Sequence, residues 1–371
     1  MKKVKNILFK MEIKGVGIVN YDGHEQSQII KDTSLDYLKH RHKNVSYAKK
    51  RFYGTLEDTK FKLVISSECL KHEIFRKDVP NHTPNVISNK TILTSLIASP
   101  ALLTRGYMLV GGETCYKRTS PLSITYAEQT NDSISHLENF SSSASKNTDK
   151  TKETPDSTFY KKEVVGDITY KSIGFIDLMK LQFVSCDQIF DGSSFNPDFF
   201  EKYKEFLQKR IPSFNSELGY YQIKDSMIEI GEYGYLLTND ILIFLVKYLF
   251  KGMISMNIQK KNAFAKTTNL QYKLVYDVIE DTMESEDGWI TIKNENDIEN
   301  VSFDSEYFYV PVDAEKEKEK RVLFELAYQK RKEEKVTERE EKKEKKKNKP
   351  KGDGSKLTEN YKEQFNTSDN E

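Results

Sequence analysis

The chain has 371 residues, of which 37% are hydrophobic and 31% charged, enough for one large domain with insertions or two ordinary domains. Its formal net charge is +1, so a nucleic-acid site must come from the local arrangement of charges and not from an overall excess. Cys69, Cys115 and Cys186 lie far apart without a CxxC spacing, which argues against a disulfide framework or a cysteine-rich zinc site and favours a reducing compartment.

The N-terminal segment lacks the features of a signal peptide, because its first apolar run has only three residues before Lys10. The most apolar segment, Ile241–Phe250, is ten residues long and contains Lys247, which is too short for a membrane span and typical of a buried helix. We therefore expect a cytoplasmic protein with no membrane partner.

The first part of the chain is predicted to alternate strands and helices. Apolar and polar residues alternate in NILFKMEIKGVGIVNYD, which predicts a long half-buried strand. A short strand is predicted in FKLVIS, and Ser66 or Ser67 is expected to cap the helix that follows. The segment KTILTSLIASPALLTRG is helical in period until Pro100, and Gly111-Gly112 lies between two runs of strand formers, which predicts a β-hairpin.

The second part begins with a polar stretch, Glu138–Thr158, which is predicted to be a mobile loop because it has almost no apolar residues to bury. Two or three strands punctuated by Gly166 and Gly174 follow, and then an amphipathic helix opened by Asn196-Pro197. The buried helix around Ile241–Phe250 and a late strand in NLQYKLVYDVI complete the pattern. This order of elements indicates an α+β domain over residues 1–313.

Two charged segments follow the predicted core. Asp277–Glu306 contains eleven acidic residues and one lysine, and it is either a solvated surface or a face that stacks on basic surfaces of further copies. From residue 314 to 371 the chain is predicted to form a charged helix that frays into a lysine-rich disordered tail. The tail either binds nucleic acid without sequence preference or keeps the protein soluble.

The sequence contains no P-loop, GxSxG, HExxH or GxGxxG motif, and we predict no metal site and no cofactor. What recurs is basic residues among aromatic and small polar residues, a combination suited to holding phosphates and stacking bases. The basic residues of these patches are Lys49, Lys50 and Arg51; Lys71, His72 and Arg76; Arg105, Lys117 and Arg118; and Lys260, Lys261 and Lys266. On residues alone we predict a nucleic-acid-binding α+β domain.

Several segments resemble the guide-RNA-binding backbone subunit of multisubunit CRISPR effector complexes, a branch of the RAMP superfamily, and specifically type I-F-variant-like members. The segments that carry the resemblance are KGVGIVNYDG, NVSYAKKRFYG, KLVISSECLKHEIF, LIASPALLTRGYML, KRTSPLSITYAEQTN and LFKGMISMNIQKKNAFAKTTNLQYKLV. The glycine-rich loop that the family has near its last strand is replaced here by QKKNAFAKTT.

The resemblance implies a modified RRM-like, ferredoxin-like core with inserted β-hairpins, described as a hand with palm, thumb and fingers. Copies would polymerise head to tail along CRISPR RNA, with other effector-complex subunits, and present the guide to target DNA or RNA. The helix after Ser66 would face the RNA backbone through Ser67, Lys71, His72 and Arg76, joined by Lys49–Arg51 and a basic loop at Lys260–Lys266. The Gly111-Gly112 hairpin would be an inserted finger or thumb.

The sequence is consistent with three functions. The first is a non-catalytic scaffold that presents a guide RNA. The second is a related backbone subunit that also cleaves target RNA through a loop aspartate, for which Asp22 and Asp32 are candidates because they follow the first strand. The third is a nucleic-acid-binding adaptor that acts through its charged C-terminal tail. The two serines could also merely cap a surface helix.

Overall fold

A computed structural model gives the fold, and two compact units divide the chain, Met1–Val312 and Asp313–Glu371. The residues that the structure describes are 3–21, 45–46, 48–54, 59–78, 90–111, 114–133, 135–142, 158–187, 193–227, 230–260, 263–276 and 287–322, with scattered positions as far as 337. The second unit contains a helix over residues 314–322.

The first unit mixes helices and strands. Its strands are β1 (Asn6–Val16), β2 (Val45–Ser46), β3 (Lys50–Gly54), β4 (Thr59–Ile65), β5 (Tyr107–Gly111), β6 (Thr114–Arg118), β7 (Leu122–Ile124), β8 (Ala127–Gln129), β9 (Ser135–Ser142), β10 (Thr158–Val165), β11 (Asp167–Asp177), β12 (Phe183–Ser185), β13 (Gly219–Ile223), β14 (Glu232–Leu236), β15 (Asn257–Lys260), β16 (Ala263–Val275), β17 (Ile290–Ile292) and β18 (Tyr309–Pro311). Its helices are α1 (Ser67–Ile74), α2 (Lys90–Ile97), α3 (Pro100–Arg105), α4 (Leu178–Gln182), α5 (Phe200–Arg210), α6 (Asn239–Ile254) and α7 (Glu295–Glu299).

The largest sheet has the strand order β15-β16-β1-β11-β8-β4-β3, and every pairing along this path is antiparallel. β17 extends it beside β16, and β7 pairs with β11. Smaller sheets are formed by β2-β10-β9, by β12-β14-β13-β18 and by the β5-β6 hairpin. The predicted strands in the N-terminal segment, in FKLVIS and on either side of Gly111 are confirmed.

The core lies between one face of this sheet and α6. Alternate residues of β1, beginning at Ile7 and ending at Ile13, are buried, and α6 buries seven apolar side chains and packs against β16. Each fully buried aliphatic or aromatic side chain contributes about 1.5–3 kcal/mol. The opposite face of β1 carries Lys10, Glu12 and Lys14, and we call this side of the sheet the open face.

Two predicted boundaries are wrong. Strands β9 and β10 pair from Ser135 opposite Val165 to Ser142 opposite Thr158, so both ends of the predicted mobile loop belong to a hairpin, and its middle lies outside the described residues. The late strand β16 begins at Ala263, inside the segment that was predicted to be a basic loop. In both places the hydrogen-bonded ladder includes polar residues that the hydrophobic pattern could not assign to a strand.

Gly174 does not interrupt a strand, because β11 runs through it. A Cβ atom at this position would lie 2.3 Å from Cζ of Phe9 and 2.3 Å from the carbonyl oxygen of Ser123. Glycine is therefore required here by the close approach of neighbouring strands and not by a turn.

Replacing Gly174 with alanine is expected to lower the free energy of unfolding by about 1–3 kcal/mol, because the new methyl group must displace a buried ring or backbone. Urea denaturation of the Gly174→Ala variant measures this change. Gly166→Ala is the matched control, since a Cβ atom there meets nothing within 4 Å, and its effect should stay within about 0.5 kcal/mol. Equal effects at the two positions would contradict the packing argument.

No helix among the described residues is long and apolar enough to cross a membrane.

Candidate nucleic-acid interface

Helix α1 directly follows β4, and a small polar network fixes its first turn. Ser66 is the N-cap, and its Oγ accepts a hydrogen bond from the Cys69 amide at 3.4 Å and another from Nδ2 of Asn20 at 3.3 Å. Leu70 and Ile74 anchor the opposite side of the helix in the core. The predicted cap is thus Ser66, and its hydroxyl is engaged within the protein.

Two lysines from distant parts of the chain act electrostatically on Cys69 in this first turn. Burial and the Glu73 carboxylate raise the pKa of the Cys69 thiol, and the positive charges of Lys260 and Lys49 lower it. The ammonium group of Lys49 lies 6.0 Å from the ring centroid of Tyr126. The backbone holds Lys49 in place, since its amide donates to the Asn20 carbonyl at 3.0 Å and its carbonyl accepts from the Val64 amide at 3.0 Å.

Other predicted residues of α1 extend this cluster along the helix. Ser67 is the first residue of α1 and is half-buried, Lys71 is half-buried one turn further on, and His72 is exposed. Arg76 follows the helix and forms an ion pair with Glu73 at 3.2 Å. We call the cluster of Lys49, Ser67, Lys71, His72 and Lys260 the helix-side patch.

The hairpin of β15 and β16 separates residues that the sequence had grouped together. Ile258 and Ala265 are paired and both buried, so Lys260, two residues from Ile258, projects on the helix side of the sheet. Lys266 is one residue from Ala265 and therefore projects on the open face, opposite Lys14 of β1. Lys261 lies outside the described residues.

The remaining residues of the segment Lys49–Arg51 interact with the sheet itself. The ammonium group of Lys50 lies 4.6 Å from the ring centroid of Phe61. Nη1 of Arg51 contacts Oε1 of Glu128 at 2.6 Å, and Glu128 is paired with Lys171 of β11, which places this ion pair on the open face. Arg51 thus lies on the open face, whereas Lys50 is paired with the buried Leu63 of β4 and projects on the helix side.

Near the β5-β6 hairpin, one prediction is wrong. Arg118 is only 7% exposed, and its guanidinium donates to the carbonyl oxygens of Leu103, Lys180, Leu181 and Phe183 at 2.9–3.2 Å. All of its nitrogens are used inside the protein, so Arg118 is a structural residue and not a phosphate ligand. Lys117 is half-buried in β6, and Arg105 is half-buried at the end of α3.

The candidate catalytic residues Asp22 and Asp32 lie outside the described residues. Among the residues that are described, no group of three His, Cys, Asp or Glu side chains is arranged to hold a metal ion.

Comparison with known proteins gives a family match and similarities to solved structures. The model of a family described as type I-Fv CRISPR-associated protein Cas7fv-like matches residues 3–309. A chain titled "CRISPR RNA-guided surveillance complex" is 8% identical, with 73% of this chain and 70% of that chain covered and a TM-score of 0.33. A second, titled "CRISPR RNA-guided surveillance complex, pre-nicking", is 9% identical, with 74% and 77% covered and a TM-score of 0.35. No curated protein matches the chain.

Proposed function

The chain belongs to the Cas7fv-like family of type I-Fv CRISPR-associated proteins, and we propose that it serves there as a non-catalytic scaffold that polymerises along CRISPR RNA. As a Cas7-type member it is a backbone subunit of a CRISPR RNA-guided complex. Our proposal adds that each copy holds the guide backbone and presents its bases to target DNA or RNA in the cytoplasm. Further copies and other effector subunits would complete the assembly.

The observation that carries this proposal is the position of two lysines relative to α1. The backbone amide of Lys49 bonds to Asn20, whose side chain also contacts the Ser66 cap of α1, and Lys260 projects on the helix side of the sheet. These lysines lie more than 200 positions apart in the sequence, and they flank a helix that carries Lys71 and His72. Lysines neutralise phosphates, and hydroxyl groups and backbone amides fix the register of the strand. Such a patch favours binding to the sugar–phosphate backbone over binding to base edges. A subunit that must hold guides of any sequence requires this kind of binding.

The strand order supports a more specific assignment of the fold. In the sheet, β1 lies between β16 and β11, and β11 lies next to β8, all antiparallel. This is the order expected of a βαββαβ ferredoxin-like core, so we assign β1, β8, β11 and β16 to an RRM-like palm. We further assign the β5-β6 hairpin to an inserted finger or thumb, because Met108 and Val110 project from it as exposed apolar side chains.

The proposal is tested by purifying the chain from cells with and without a CRISPR array and sequencing the RNA that co-purifies. We expect large particles that contain spacer-bearing RNA only when the array is present. A nucleic-acid-free monomer from both strains would overturn the proposal. Replacing Asp22 and Asp32 together with alanine is the control for catalysis, since loss of cleavage of a complementary RNA would show that the subunit is an enzyme.

A further inference from the structure

The open face of the central sheet brings together lysines from three strands. Lys266 of β16 lies opposite Lys14 of β1, and Lys171 of β11 lies opposite Glu12, one row further along β1. Directly opposite residues of antiparallel strands project to the same side, and strands lie about 4.8 Å apart with about 6.8 Å between such rows. The Cα atoms of the three lysines therefore lie within about 12 Å of one another.

An exposed aromatic side chain lies beside these lysines. Phe264 of β16 is 45% exposed and is paired with Val16 of β1, which is 39% exposed. The pair occupies the row next to Lys14 and Lys266 on the same face, because residues two positions apart in a strand project alike. A phenylalanine ring on a strand, open to solvent and flanked by lysines, is a platform on which a base can stack.

The carboxylates of this face leave part of its positive charge available. Glu12 lies 3.5 Å from Nζ of Lys14, and Glu128 is paired with Arg51. Asp167 shares the row of Val16. Lys171 and Lys266 are exposed and form no ion pair with another described residue. Both remain able to neutralise phosphates next to the exposed ring.

We propose that the open face is a second nucleic-acid site, separate from the helix-side patch, which binds a single strand with a base on Phe264 and phosphates on Lys171 and Lys266. The strand register supports the separation of the two sites, because Lys260 and Lys266 project on opposite sides of the sheet. A strand bound here lies across the face of the sheet away from α1. This site would let a subunit that holds one strand contact another strand at the same time.

The test measures binding of a fluorescein-labelled oligothymidine of about 12 nucleotides, which suits a single-strand site of this size, to the full-length chain in its RNA-loaded form. Fluorescence anisotropy is recorded at several salt concentrations. We expect Phe264→Ala to weaken binding about tenfold, since stacking dominates such platforms. The Lys171→Ala/Lys266→Ala variant should lower the slope of log affinity against log salt by about 1.4, because each phosphate contact contributes about 0.7.

Matched controls separate this site from general surface effects. Phe244 of α6 is 37% exposed on the helix side, and Phe244→Ala should bind the oligonucleotide like the native chain. The amount of co-purifying RNA should be unchanged in the open-face variants, so the two sites can fail independently. Unchanged oligonucleotide binding in both open-face variants would overturn the proposal. Loss of the co-purifying RNA in those variants would also overturn it, because the face would then belong to the guide site.

Discussion

The triple variant Lys49→Ala/Lys71→Ala/Lys260→Ala is expected to lose most of its affinity for guide RNA while it remains folded. The three side chains belong to the helix-side patch, and none of them is buried. Each phosphate contact of a single strand contributes about 0.7 to the slope of log affinity against log salt, so three contacts contribute about 2. By the same relation, the affinity at about 0.15 M salt should fall about 50-fold.

Filter binding or anisotropy with a labelled CRISPR RNA, repeated over a salt series, checks this result. The native chain and the triple variant should converge as the salt concentration approaches about 1 M, where the counterion contribution vanishes. The control replaces Lys180, Lys209 and Lys224 with alanine, three lysines that each form a surface ion pair elsewhere. If the control loses as much affinity as the triple variant, binding depends on total charge, and the helix-side patch is not the site.

Local signals predicted the elements of this fold better than their relative positions. The serine before a helix, the alternation in β1 and the hairpin of β5 and β6 each depend on a few neighbouring residues, and the structure confirms them. The positions of Lys49, just before β3, and of Lys260, in β15, depend on how these strands are ordered in the sheet. No local pattern contains that information.

The sequence prediction was least reliable where a basic residue occupies a strand. Arg118 and Lys266 both belong to predicted patches, but one is buried under helix ends and the other projects on the open face. A basic cluster in the sequence indicates positive charge but not the face of the sheet from which each side chain projects, because successive side chains of a strand point to opposite sides. Lys14 and Lys171 were missed for the same reason. They lie far apart in the sequence and come near each other only because β1 pairs with β11. The alternation in β1 was a signal that could have identified Lys14.

Arg118→Ala is expected to be among the most destabilising single substitutions in the chain, lowering the free energy of unfolding by about 3–5 kcal/mol. The guanidinium donates to the Leu103 carbonyl at the end of α3 and to the Lys180 and Leu181 carbonyls at the end of α4. Carbonyls in the last turn of a helix have no partner within the helix, and these helices are only six and five residues long. The Phe183 carbonyl at the start of β12 is the fourth acceptor.

Removing this side chain would leave four carbonyl oxygens in the interior without their donor and would open a cavity the size of the arginine. Arg118→Lys should recover only part of the loss, because an ammonium group has three donors at a single point and cannot reach acceptors on two helices and a strand. Urea denaturation with near-ultraviolet circular dichroism measures both variants. Lys180→Ala is the control, since it removes an exposed ion pair with Asp177 but keeps the carbonyl that Arg118 contacts, and it should cost about 0–1 kcal/mol.

Stability and RNA binding together distinguish a structural role for Arg118 from the role that the sequence predicted. A structural arginine predicts a lower urea midpoint, with guide affinity close to native in whatever protein remains folded at low temperature. The opposite pattern, a native midpoint with lost guide affinity, would mean that the guanidinium leaves its four carbonyls to bind phosphate. That outcome is disfavoured because a guanidinium that moved to phosphate would leave buried carbonyl oxygens at the ends of two helices without a hydrogen-bond donor. Each unsatisfied group would cost about 1–3 kcal/mol. The buried position of Arg118 therefore links the β5-β6 hairpin to α3 and α4, and it fixes the base of the element that we assign to a finger or thumb.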